Sequence, residues 1–134
     1  MSVFDTIAIA ASGLTAERFR MDTAAANLAN QHSTRTAAGG PYQSVAPVFE
    51  AVSLGQAATP GVAVTGLAAT GGAPIRVYDP SHPDADAQGF VSYPDVDVAA
   101  NMADLMGAAR SYSMDATVTA AAKQSALDAI EIGR

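Results

Sequence analysis

The sequence predicts a mainly α fold with a small β insert. In it, N- and C-terminal helices pair as an antiparallel coiled coil, with short strands between them. Three observations carry this. Both ends repeat apolar residues at alternating steps of three and four, the spacing of one face of a helix. The middle is rich in Gly and Pro and leans to β. And the 134-residue chain is 49% hydrophobic with no Trp and only 6% aromatic residues, so it builds helices more readily than a deep core of large side chains. Residues 1–35 and 97–134 then form a discontinuous coiled-coil core domain, and residues 36–96 a small β-rich insert.

The first helix is predicted from about Ser2 to Asn27. Ser2 is a suitable N-cap, and Asp5 lies in the first turn, where the helix dipole favours an acid. Its seam is Phe4, Ile7, Ala11, Leu14, Met21, Ala25 and Leu28, broken only by Arg18. Gly13 costs about 1 kcal/mol relative to Ala inside a helix, and is either kept for close helix approach or simply tolerated. The helix is expected to stop around Asn27–Asn30, because Asn tolerates a left-handed C-terminal conformation. Gln31–Gly40 reads as a loop. Strands are expected at Ser44–Leu54, Gly61–Leu67, Pro74–Tyr78 and Phe90–Tyr93, with the Ala/Gly/Thr-rich Gln56–Gly72 stretch only weakly patterned. A second helix starts after Pro94, near Asp97, and runs almost to the end. Its seam is Val98, Met102, Leu105, Ala109, Tyr112, Ala116, Ala126 and Ile130. Isolated helices of this kind are marginal and rely on packing an apolar face.

The net charge of −6 is unevenly spread. From Thr36 to Asp97 six acids face Arg76 alone, whereas the two ends carry seven acids and six bases. Nearly neutral ends suit close packing against like copies, and an acidic middle suits a solvated surface. The chain offers no basic patch for nucleic acid and no basic amphipathic helix for anionic lipid. With no cysteine, disulfides and thiolate metal sites are excluded. Neither a cleavable signal peptide nor a run of about 18 apolar residues is visible, so membrane insertion is not expected.

Several local constellations could carry chemistry. Asp84-Ala85-Asp86-Ala87-Gln88-Gly89, with Asp95 at position twelve, opens like a calcium loop, because oxygen ligands spaced by two around a glycine bend suit a hard cation. Pro80, Pro83 and Pro94, and a shorter Asp in place of the bidentate Glu, favour an Asp/Gly hairpin turn instead. A calcium-dependent binding module centred on Asp84–Asp95 is therefore the alternative reading, beside a small coiled-coil export chaperone or adaptor. His32 and His82 lack metal-ligand spacing and read as exposed loop residues. Ser81, His82 and Asp79 crowd into one turn without a nucleophile elbow. Gly71-Gly72 leads to a strand, not to a phosphate-binding helix. No catalytic, cofactor or metal site is predicted, and the chain is not expected to be an enzyme. Asn27 and Asn30 taken alone read as helix C-cap residues.

The stretch Asn27-Leu28-Ala29-Asn30, followed by Ser33-Thr34-Arg35 at the end of an amphipathic helix, resembles the signature of bacterial flagellar rod and hook proteins. Further along, Val77–Asp86, Gly89-Phe90-Val91, Pro94-Asp95-Val96, Ala109-Arg110-Ser111-Tyr112 and the ending Ala126-Leu127 with Ile130-Glu131-Ile132-Gly133-Arg134 resemble a proximal rod member of that family. Where the family usually carries Tyr-x-x-Asn, this chain has Tyr112-Ser113-Met114-Asp115. The resemblance implies a structural subunit of the basal-body rod, a hollow shaft that transmits motor torque and passes export substrates. It implies partners among other copies of the chain, other rod proteins and the basal-body export and MS-ring region. It also implies a periplasmic address reached through type III export, without a cleaved signal. Asn27, Leu28, Ala29, Asn30, Thr34, Arg110, Gly133 and Arg134 are its signature positions.

Overall fold

The structure, a computed structural model, describes residues 2–54 and 59–133. Within them lie two long helices, α1 (Val3–Ala29) and α2 (Val98–Ile132), and two antiparallel pairs of strands. β1 (Val45–Leu54) pairs with β2 (Thr59–Ala69), and β3 (Ile75–Tyr78) with β4 (Phe90–Tyr93). The ladder of β1 and β2 slips once, between Val48 and Phe49. β2 extends to Ala69, beyond the predicted Leu67, while residues 56–58 of the weakly patterned stretch lie outside the described residues.

Caps fix the helix starts. Ser2 Oγ accepts the Asp5 N–H, and the Asp5 carboxylate accepts the Ser2 N–H in return, a closed capping box. Those hydrogen bonds, the backbone bond from Ser2 first, hold the Asp5 carboxyl below its ordinary value. At α2 the Asp97 carboxylate accepts the Ala100 N–H at 2.9 Å. The α1 terminus departs from expectation. The helix continues through Asn27 to Ala29, and Asn30 caps it with φ −99°, outside the left-handed region. Instead of a left-handed turn, the Asn30 backbone N–H and side-chain Nδ2 both donate to the Ala26 carbonyl.

The helices meet in reversed order. Gly13 faces Asp115, Arg20 pairs with Asp104, and Asn27 bonds Asn101. Among the described residues α2 packs on α1 and on no other element, while α1 also carries β1 and β2. These contacts fall one position before the predicted seam residues Leu14, Met21, Leu28, Met102, Leu105 and Ala116. Buried or half-buried positions run through Ala10, Gly13, Glu17, Arg20, Ala24 and Asn27 on α1, and through Asn101, Ala108, Asp115, Thr119 and Ala122 on α2. Of the predicted seam, Ile7, Leu14, Met21, Leu28 and Leu105 are half-buried, whereas Phe4, Ala11, Met102, Ala109, Tyr112 and Ile130 are exposed. Small side chains let the two backbones approach closely, and bulky ones at the same line would hold them apart.

Ala108 has no exposed surface, whereas its neighbour Ala109 is exposed. Ala108→Leu is expected to destabilise the chain by about 1–3 kcal/mol through overpacking, while Ala109→Leu stays within about 0.5 kcal/mol of the parent. Urea denaturation followed by circular dichroism reads both, and the opposite ranking would restore the apolar seam.

Candidate assembly surface

Asn27 is the hinge-pin of the fold. Its side chain is buried on α1, yet every polar atom of it is used. Nδ2 donates to the Val45 carbonyl and to Asn101 Oδ1, both at 2.8 Å. Oδ1 accepts the Val45 N–H at 3.1 Å and the Tyr42 hydroxyl at 2.9 Å. One amide thus ties α1 to α2 and to the first residue of β1. Burial pushes the Tyr42 hydroxyl's pKa above its ordinary value. The cap reading of Asn30 holds, but Asn27 is no cap. Its partners Tyr42 and Asn101 had no motif to announce them, although Asn101 is an isolated amide at the start of an apolar helix.

Beyond the α1 end, Thr34 Oγ1 donates to Asp84 Oδ2 at 2.8 Å, and the Arg35 guanidinium pairs with Asp84 Oδ1 at 2.7 Å. The signature loop is thereby fastened to the acidic loop between β3 and β4. Each acid of that loop has protein donors of its own. Asp86 accepts the Gln88 and Phe90 N–H groups and the Arg76 guanidinium, which also lies 4.8 Å from the centre of the Phe90 ring. Asp79 accepts the Ser81 hydroxyl and N–H, and Asp95 the Gly72 N–H. These are the bonds of a hairpin turn, closed by Gly89 at φ +82°. Among the described residues no group of three or more His, Asp or Glu converges on one point. Ser81 bonds Asp79, while His82 Nδ1 accepts the Asp84 N–H, so no Ser–His–Asp relay forms. His82 is half-buried, contrary to expectation, and with the exposed His32 stands edge-on to Tyr93.

What remains uncovered is apolar. Phe4 is 77% exposed, Met106 67% and Ile130 65%, with Val98, Met102, Tyr112 and Leu127 on the same side of α2. On the strands, Val48, Phe49, Leu67, Ile75 and Val77 are also exposed. Among the described residues α2 buries one residue completely, Ala108. Such a surface on a chain of this size marks a site of protein contact rather than a finished monomer surface. Of the remaining signature positions, Leu28 is half-buried, Ala29 ends α1, Arg110 is exposed, and Gly133 closes α2. Arg134 lies outside the described residues.

Paired terminal helices, a pinned signature loop and an uncovered apolar face are the features of an assembly subunit, and the comparisons specify which. Residues 7–34 match the family "Flagella basal body rod protein", and residues 87–132 match "Flagellar basal body rod FlgEFG protein C-terminal". The flagellar basal-body rod protein FlgC of Escherichia coli O6:H1 is 37% identical over all of this chain and 98% of its own length. FlgC of Bacillus subtilis is 35% identical over the whole of both chains, and FlgC of Aquifex aeolicus 39% over 84% of this chain and 83% of its own. The chain belongs to the FlgC family of flagellar basal-body rod proteins, and it is a structural rod subunit.

Two outcomes test this site. Asn27→Ala leaves the Val45 and Tyr42 groups without their partner and is expected to cost about 3 kcal/mol, at about 1–3 kcal/mol per unsatisfied group. A loss under about 1 kcal/mol in chemical denaturation would contradict the hinge-pin role. The second concerns acid. Asp86 is held below its ordinary value chiefly by the Phe90 N–H bond, and Asp79 by the Ser81 hydroxyl. Because both folded values are lowered, their contribution is complete above the ordinary carboxylate range and is lost as pH falls through the lowered values. Amide spectra of Gln88 and Phe90 should therefore stay constant at neutral pH and broaden only in strong acid.

Proposed function

We propose that the chain polymerises through its terminal helices. In this reading α1 and α2 form an antiparallel coiled coil (residues 1–35 and 97–134), and the insert of residues 36–96 stands beside it. The observation that carries it is the placement of side chains on α2. Small and polar residues with Leu105 lie toward α1, while Met102 and Met106 lie on the other side of the helix and are exposed, as are Tyr112 and Ile130 beside the contact line. A monomer would gain by burying those residues against its own first helix. Leaving them outside is favourable only where neighbours cover them, since burial of such a side chain is worth about 1.5–3 kcal/mol.

Phe4, Ile7, Ala11, Leu14, Met21, Leu28, Met102, Leu105, Ala109, Tyr112 and Ile130 then act between subunits as much as within one. The neighbours are other copies of the chain and other rod proteins, with the export and MS-ring region at the base. Continuous packing of this kind would carry torque along a hollow shaft while leaving a path for export substrates. A periplasmic position, reached without a cleaved signal, follows from the same reading.

Met106→Asp separates assembly from folding. The side chain is exposed, so the free chain is expected to keep its helix content and its stability within about 0.5 kcal/mol. Incorporation into purified basal bodies and swimming should be lost, because the neighbour would bury an unpaired charge. Normal swimming by this variant would contradict the outward face as an interface.

A further inference from the structure

The helix seam contains a carboxylate without a partner. Asp115 stands against Gly13, where a Cβ would come within 2.6 Å of its Oδ2, so the glycine makes room for it. Among the described residues its side chain makes no hydrogen bond or ion pair; only its backbone carbonyl is used, by Thr119. Asp115 is among the residues lining an open groove of about 500 Å³ whose other walls are mostly apolar: Thr6, Ile9, Pro60, Val62 and Val118. An anion in an apolar groove fits a long basic side chain, whose methylene stem lies along the walls while its charged head meets the acid.

The same chain supplies such a side chain. Arg110 is exposed and joins none of the ion pairs of the described residues. Arg110 and Asp115 are five residues apart on α2, so they point about 140° apart around the helix and cannot serve one another within one chain. We propose that Arg110 of one copy inserts into the Gly13–Asp115 groove of the next. The two surfaces differ, so the contact is heterologous, and repeated contacts of that kind generate rings or open helical arrays instead of closed dimers. A guanidinium suits the site better than an ammonium, because its planar fork meets a carboxylate with two parallel hydrogen bonds. The proposal rests on the rod-subunit reading and adds to it a specific lateral contact between like copies.

The test uses complete chains in assembled basal bodies. Arg110→Asp and Asp115→Arg are each expected to lower the amount of chain in purified basal bodies roughly tenfold or more, and the exchanged double variant to restore it. A second measurement leaves the pair intact. The chain has no cysteine, so Gly107→Cys, where a Cβ meets nothing within 4 Å, marks the Arg110 face, and Val118→Cys marks the groove wall. When the two single-cysteine chains are produced together and treated with a short bismaleimide, linked dimers are expected only in the mixture. Wild-type levels of both charge variants, failure of the exchange to restore assembly, or no linked dimer from the mixture would each overturn the pairing. So would linked dimers from one variant alone. If the wild-type chain itself were missing from basal bodies, the rod reading would fall; if it is present and the mixture does not link, only the pairing falls.

Discussion

The close approach of α1 and α2 along small side chains is the constraint on which the rest depends. Ala10, Gly13, Ala24 and Ala108 leave room for two backbones to lie near one another and for polar groups to meet across the line. With that spacing set, Asn27 can reach Asn101 on one side and Val45 on the other, and Arg20 can reach Asp104. A seam of leucines would bury more area but would widen the gap and break these bonds. The cost is modest hydrophobic gain within the monomer, since alanine offers little surface. The compensating gain lies outside, in the apolar residues that the small seam displaces to the surface.

Asn27 converts that helix pair into a subunit with a fixed shape. A buried amide whose donors and acceptors are all satisfied is costly to disturb and permits one arrangement only. Because its partners sit on α2 and at the start of β1, it ties the insert to both helices, beside the bonds of Thr59 to Asp5 and of Val62 to Ser12. The next fastening, from Thr34 and Arg35 to Asp84, holds the β3–β4 hairpin to the same corner. Of the acids that resemble a calcium loop in sequence, Asp84 and Asp86 accept protein donors within this turn and from Thr34 and Arg35, and Asp95 accepts the Gly72 N–H.

Much of this was legible in the chain. Ser2, Asp5 and Asp97 announced both helix starts, and alternation at Val62/Val64 and Ile75/Val77 located the strands to within a residue or two. The facing of the helices was not legible. Alanine occupies both 10 and 11, both 24 and 25, and both 108 and 109, so the small residues fit either line. Ranking by apolar bulk selects the line of Ile7, Leu14, Met21, Leu28 and Leu105, all half-buried, and passes over the polar contacts one position away. The role of Asn27 was visible as a signature and not as chemistry. Its partners lie 15, 18 and 74 residues away, and no local pattern connects them.

Between a finished monomer and a subunit with faces awaiting neighbours, the difference lies in what covers α2. Hydroxyl-radical footprinting of Met102, Met106 and Met114, by mass spectrometry on the free chain and on purified basal bodies, measures that cover directly. All three should oxidise readily in the free chain, and Met102 and Met106 should be strongly protected in the rod. Equal reactivity of these two residues in both states would contradict the account, for the outward face of α2 would then have no neighbour.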